Sequence, residues 1–192
     1  MSISSVKTGA VGVSLLAGNT AYDPAATFLI ARANGTGSSG TITFSAIPAT
    51  FQHLQIRWIG RSDNASNDIG IDLRFNSDTG SNYARHWLNG DGSTASASGA
   101  ASQSLVNVGR AAGANQTSGI ISSGIIDIQD YTSTTKNKTI RSFAGQDFNG
   151  SGTIRLNSGL WMNTNAVTSI SLIANAGNWT TASTFALYGM VG

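Results

Sequence analysis

From Gly40 onward, apolar residues recur at every second position in a series of short segments, and this feature constrains the fold more than any other. The clearest segment alternates polar or small residues with Ile69, Ile71, Leu73 and Phe75. A period of two is typical of a β-strand with one buried face, because successive side chains point to opposite sides of the strand. The pattern therefore predicts an all-β chain with little or no helix.

About ten such strands can be assigned, and Asn-, Asp- and Gly-rich turns separate most of them. Many short strands joined by such turns predict an antiparallel β-sandwich. Trp58 is in phase with Leu54 and Ile56, so we expect it in the core. The Ser-, Ala- and Gly-rich stretch 93–104 is predicted to be a mobile surface loop. The other candidate strands are 41–46, 83–88, 105–108, 120–128, 139–144, 153–156, 169–173 and 185–191.

The composition fits a β exterior and limits the chemistry that the chain can perform. Glutamate is absent, lysine occurs three times, and charged residues make up 10% of the chain, where about 25% is ordinary. Helical surfaces rely on Glu and Lys, so this surface is not built from helices. The two histidines have no Gly-x-Ser-x-Gly nucleophile elbow to accompany them. We therefore expect a protein that is not an enzyme and that uses no cofactor and no metal.

Charge and hydropathy also exclude two classes of partner. The net charge is +2, from 11 basic and nine acidic residues, and the basic residues never form a run, which argues against nucleic-acid binding. No apolar stretch approaches the roughly 20 residues that a membrane span needs. The absence of cysteine excludes disulfides, so packing, or packing together with oligomerisation, must stabilise the fold.

The chain divides into an N-terminal arm, residues 1–24, and a β-sandwich domain, residues 25–192. The arm lacks the alternation and has two charged residues, Lys7 and Asp23. Such a segment cannot bury a core of its own. We interpret it as an arm that becomes ordered on a neighbouring molecule; the alternative is a first strand with a frayed terminus.

Four residues are candidates for a ligand site or a subunit interface: Trp179, Tyr131, Trp161 and His86. Trp179 lies in a predicted turn, which makes it the best candidate for an exposed aromatic face. Such a face can stack on a sugar ring or fill a subunit interface, where aromatic residues are enriched. His86 is expected at the surface or in a subunit contact. The Asx-rich clusters 63–68 and 76–82 suit β-turns or, alternatively, calcium, although neither has the spacing of a calcium-binding hand.

Several motifs resemble a family of small β-rich virion proteins of tailed bacteriophages, common in marine phages. The first is 75–83, Phe-Asn-Ser-Asp-Thr-Gly-Ser-Asn-Tyr, and the segments 158–164, 166–172 and 184–189 follow in the same order. The resemblance extends from residue 25 to 192. It implies a jelly-roll-like sandwich displayed on the virion as a homotrimer, and it offers no catalytic residues.

The function expected from these observations is a non-enzymatic structural protein on the exterior of a phage particle, decorating or cementing the capsid. Its partners would be copies of itself and other virion proteins such as the major capsid protein. The alternative is a tail-fibre or tail-tip module that binds a host-surface glycan, based on Trp179, Tyr131 and the Asx-rich loops. An enzyme such as a polysaccharide depolymerase has no supporting residue constellation. The residues alone leave the position on the particle, capsid or tail, open.

Overall fold

The computed structural model describes residues 27–191, which form twelve β-strands and no helix. Every pairing between these strands is antiparallel. The predicted arm, 1–24, lies outside the described residues. The strands are β1 (Thr27–Asn34), β2 (Thr41–Phe44), β3 (His53–Gly60), β4 (Asp68–Phe75), β5 (Tyr83–Gly90), β6 (Ala95–Gln103), β7 (Val106–Ala112), β8 (Ser122–Ile128), β9 (Lys138–Asp147), β10 (Gly152–Trp161), β11 (Ile170–Ala174) and β12 (Thr184–Met190).

The strands form two sheets that enclose one apolar core. The large sheet has the order β1-β12-β3-β8-β9-β10-β5-β6, and the small sheet has the order β2-β11-β4-β7. Ile56 and Trp58 of β3 meet Ile71 and Leu73 of β4 in the core between the sheets. The predicted antiparallel β-sandwich is therefore confirmed, as is the core position of Trp58. The finer expectation of a jelly roll stays a prediction, since the division into eight and four strands does not by itself establish that connectivity.

Two strands were not predicted from the sequence. The stretch 93–104, expected to be a mobile loop, instead contains β6, which pairs with β5 at the edge of the large sheet. That prediction was wrong because backbone hydrogen bonds alone can hold an edge strand, and small side chains leave no alternation to detect. The other is β1, which pairs with β12 at the opposite edge.

The predicted turn chemistry is confirmed at several positions. Asn76, Ser77 and Asn149 adopt positive φ angles of 49°, 56° and 58°, a conformation that Asn tolerates better than most residues. Asp78 stabilises the first of these turns by accepting a hydrogen bond from the backbone N–H of Gly80 at 2.8 Å. None of the described residues belongs to a helix that is long and apolar enough to cross a membrane.

Candidate interaction face on the large sheet

The outward face of the large sheet presents a continuous row of apolar side chains to solvent. Strand register places Ile125 of β8 beside Phe143 of β9, Phe143 beside Leu156 of β10, and Leu156 beside Leu88 of β5. Neighbouring strands are about 4.8 Å apart, so the four side chains form a stripe roughly 15 Å long. Their exposed fractions are 39%, 49%, 50% and 50%. We call these four residues the apolar row.

Further apolar side chains extend this row on one side. Ile59 on β3 is 43% exposed and Ile154 on β10 is 58% exposed. Ile154 is two residues from Leu156 of the apolar row, and Ile59 is two residues from Arg57, which pairs with Ile125. Both therefore point outward as well. A groove of about 600 Å³ lies beside Ile59 and is lined in part by Arg57, Phe143 and Tyr188. The guanidinium carbon of Arg57 lies 5.4 Å from the centre of the Tyr188 ring.

A polar row runs parallel to the apolar row on its other side. Register aligns Gln55 of β3, Asp127 of β8, Arg141 of β9, Ser158 of β10 and His86 of β5. The Gln55 side-chain amide donates to Oδ1 of Asp127 at 2.9 Å. The face therefore combines an exposed apolar stripe with charges of both signs, an arrangement typical of a protein-interaction surface.

No protein-family model matches this chain, and neither a curated protein nor a solved structure matches it.

The apolar row follows from an inversion in β10 that the sequence did not reveal. Period-two alternation predicts this strand, and the simplest assignment buries its apolar members. In the structure Ile154 and Leu156 face solvent, whereas Arg155 and Asn157 are buried on the inner face. Register with β9 and β5 fixes this orientation, because shifting a strand by one residue would exchange its two faces. The alternation itself was the available signal, but it does not tell which set faces the core.

Trp179 is not the exposed platform that the sequence predicted. Its side chain is fully buried and packs edge-on against Phe185, with ring centres 5.0 Å apart. Its backbone N–H donates to the carbonyl of Ser39 at 2.9 Å. Gly60 leaves room for the ring, since a Cβ there would lie 3.3 Å from it. The expectation of exposure was wrong because a turn position says nothing about which way a large side chain folds.

Tyr131 and Trp161 are also buried within the subunit. The Tyr131 hydroxyl donates to the carbonyl of Pro48, and burial raises the pKa of this phenol. The Trp161 indole N–H donates to Oδ2 of Asp78 at 2.8 Å, and its ring stacks on Tyr83 with centres 6.2 Å apart. Neither ring offers a face to a ligand in this arrangement.

His86 is the one of the four candidates that lies on the interaction face. It is exposed at the end of the polar row, and its ring covers Gly99 of β6. This position agrees with the expectation of a surface histidine. His53 lies elsewhere, where its Nδ1 accepts the backbone N–H of Asp130 at 3.0 Å.

The Asx-rich clusters make the hydrogen bonds of turns. Asp63 accepts from the backbone N–H of Asn178 at 2.7 Å and from its side-chain amide at 3.0 Å. These bonds hold the pKa of Asp63 below its usual value, and those from Asn82, Trp161 and Gly80 do the same for Asp78. Across residues 27–191, no three His, Cys, Asp or Glu side chains are grouped so that they could hold a metal ion.

Proposed function

We propose that this chain is a non-enzymatic structural protein on the exterior of a bacteriophage particle, where it decorates or cements the capsid as a homotrimer. The observation behind this proposal is the apolar row on the large sheet. Four half-exposed large apolar side chains on four adjacent strands are unfavourable in water and favourable in a subunit interface.

A second copy of the chain suits this face as the covering partner. The polar row beside it has both signs of charge, Asp127 and Arg141 on neighbouring strands, so three copies of the face can pack around a threefold axis without net repulsion. Closed symmetry would bury the row in every subunit and would leave none of these faces open. Contacts with the major capsid protein would then use other surfaces, and the N-terminal arm, 1–24, is our candidate for them.

The virion assignment depends on the resemblance of the motifs, among which 75–83 is the longest. In the fold this motif forms the turn after β4, and its Asp78 accepts the indole N–H of Trp161 from β10. Trp161 belongs to the second resembling segment, 158–164. The two motifs thus contact one another and stabilise the fold. This structural role suits a family whose members have a fold in common and no catalytic residues.

Gold-tagged antibody against this protein, applied to intact particles of the phage that encodes it and viewed by electron microscopy, tests the proposal. We expect gold spread regularly over the shell. An antibody against the major capsid protein serves as the positive control for access to the shell. Absence of gold on every particle would refute the virion assignment.

Gold confined to the tail end would instead favour the second candidate, a tail-fibre or tail-tip module that binds a host-surface glycan. The original basis for that alternative is weaker, because Trp179 and Tyr131 are buried. A different observation favours it: Trp87 is partly exposed on the inner side of β5, where it contacts Arg155.

A further inference from the structure

The inner side of β5 and β10 is polar at a place where a sandwich ordinarily buries apolar groups. Arg155 of β10 is only 8% exposed and Asn157 only 7%. Register places Asn157 opposite Trp87 of β5, and the Arg155 guanidinium carbon lies 4.4 Å from the centre of the Trp87 ring. Burying a charged group costs free energy unless the group is paired and hydrogen-bonded, so the burial of Arg155 needs a physical reason.

Hydrogen bonds fix the position of the Arg155 side chain. Its Nε donates to Oδ1 of Asn157 at 3.0 Å, the Asn157 amide donates to Oγ of Ser142 at 2.9 Å, and the Ser142 hydroxyl donates to the Val108 carbonyl at 2.7 Å. Within the described part of the chain, the two terminal amino groups of Arg155 make no hydrogen bond and no salt bridge. The guanidinium is therefore oriented in advance, with its terminal donors unused.

Positive charge is in excess around this guanidinium. The charges of Arg85, Arg155 and Arg74 attract the Asp72 carboxylate, yet burial raises the pKa of this carboxyl. Burial, together with repulsion from Arg110 and Arg85, lowers the pKa of Arg155 to about 10. Arg110 is already paired with Asp68 at 2.5 Å. Four arginines against these two aspartates leave a net charge of +2.

Two buried polar atoms in the same cluster have no partner. Asn107 is 8% exposed and its amide donates to Oδ1 of Asp72 at 3.0 Å, yet its own Oδ1 accepts nothing. The Nε of Arg85 is likewise buried without an acceptor. Leaving a buried donor or acceptor unpaired costs about 1–3 kcal/mol. One free acceptor and several free guanidinium donors match a ligand that has both a hydroxyl and an anionic oxygen.

The cluster borders solvent on the side of β6. This strand is exposed along almost its whole length, on both faces, and no strand of the small sheet packs closely against it in the described part of the chain. Trp87, next to β6 in register with Ser98, is partly exposed for the same reason. A small polar ligand can therefore approach from the margin between β6 and the small sheet.

We propose that this margin binds an acidic saccharide, that is, a sugar with a carboxylate group. The planar guanidinium groups of Arg85 and Arg155 would bind the carboxylate, a geometry for which arginine is well suited. The free Oδ1 of Asn107 would accept a sugar hydroxyl, and the exposed part of Trp87 would contact the apolar side of the sugar ring. The inference is independent of the position of the protein on a particle.

Titration of the ¹⁵N-labelled protein with galacturonate, monitored by the indole N–H resonances, tests the site. We expect the Trp87 resonance to shift in a saturable manner, while the resonances of Trp161 and Trp179 stay in place. Galactose, which differs by lacking the carboxylate, should bind at least about tenfold more weakly, because charge-assisted hydrogen bonds are the strong ones. No shift of the Trp87 resonance at any galacturonate concentration would overturn the proposal.

Three variants and one further probe sharpen the test. Arg155→Lys keeps the positive charge but removes the planar pair of guanidinium donors, and Arg85→Gln removes the guanidinium group of Arg85. Each substitution should weaken galacturonate binding about tenfold. Arg32→Gln changes an exposed arginine on β1, at the edge of the large sheet opposite β6; it is the matched control and should bind as the wild type does. If acetate binds as tightly as galacturonate, the site recognises a simple anion and the saccharide assignment is wrong.

Discussion

Replacing two members of the apolar row with serine should weaken self-association of this protein while leaving its fold intact. The change is Phe143→Ser combined with Leu156→Ser, on neighbouring strands in direct register. Both side chains are about half exposed, at 49% and 50%, so an interface can still bury about half of each one. The half of each side chain that is already buried in the isolated subunit also stabilises the fold, so the free energy of unfolding should fall by about 1 kcal/mol per site, a loss that leaves a stable domain folded.

The magnitude follows from the area that remains to be buried. Full burial of a Phe or Leu side chain stabilises by about 1.5–3 kcal/mol, so half burial is worth about 1 kcal/mol for each residue. The double substitution should therefore cost about 2 kcal/mol for each copy of the row that the interface covers. Since about 1.4 kcal/mol is a tenfold change, the dissociation constant should rise roughly 30-fold.

Sedimentation velocity over a wide range of protein concentration measures this shift directly. The matched control is Met162→Ser combined with Val191→Ser, which removes two side chains of similar exposure, 46% and 51%, outside the apolar row. The control should associate as the wild type does. Equal weakening in both double variants, or a wild type that is monomeric at every concentration, would refute the assignment of the row to a subunit contact.

Three further predictions concern stability, and chemical denaturation checks each of them. Asp78→Ala should destabilise the fold by about 2 kcal/mol, because it leaves the buried Trp161 indole N–H without an acceptor; an unchanged midpoint would contradict this role. The difference in free energy of unfolding between the wild type and Asp78→Ala should shrink as the pH falls below the ordinary Asp pKa of 3.8. The pKa of Asp78 is lowered in the folded state, so the ionised carboxylate stabilises the fold above 3.8 and this stabilisation is lost as the pH falls through the folded-state pKa. A pH-independent difference would be inconsistent with this role. Lys138→Met should cost about 3 kcal/mol, because the fully buried ammonium donates to three backbone carbonyls at 2.7, 2.8 and 3.1 Å. Lys136→Met removes only an exposed pair with Asp130 and should cost less than about 1 kcal/mol; equal costs for the two lysines would argue against the role of Lys138 as a donor to these carbonyls.

The sequence predicted the all-β class and most of the strands because alternation is a local property of the chain. It could not predict which face of a strand is buried, as β10 illustrates. Arg155 and Asn157 are buried only because β9 and β5 flank this strand in one register, and that register depends on residues far away in the sequence. β6 was not predicted for a related reason. Its pairing with β5 uses backbone hydrogen bonds, and its small side chains show no alternation of apolar and polar residues.

The candidate residues were chosen by side-chain type, and type does not determine exposure. Trp179 and Trp161 were attractive as large aromatic groups, but both fill the interior. Trp87, which the sequence offered only as one aromatic among several, is partly exposed beside a buried arginine. Arg61 was not singled out from the sequence, yet in the structure it donates to four carbonyls between residues 114 and 120.

The inversion of β10 links the two surfaces that we propose to be functional. Because Ile154 and Leu156 face outward whereas Arg155 and Asn157 face inward, a subunit contact on the outer face and a saccharide site at the inner margin would use alternate residues of one strand, Leu156 and Arg155. The two sites lie on opposite faces of the same sheet, so occupation of one does not obstruct the other. The double variant of the apolar row should therefore bind galacturonate as the wild type does, and Arg155→Lys should leave the sedimentation behaviour unchanged. If either variant altered both properties, the two faces would be coupled through β10, and independent use of the two surfaces would be excluded.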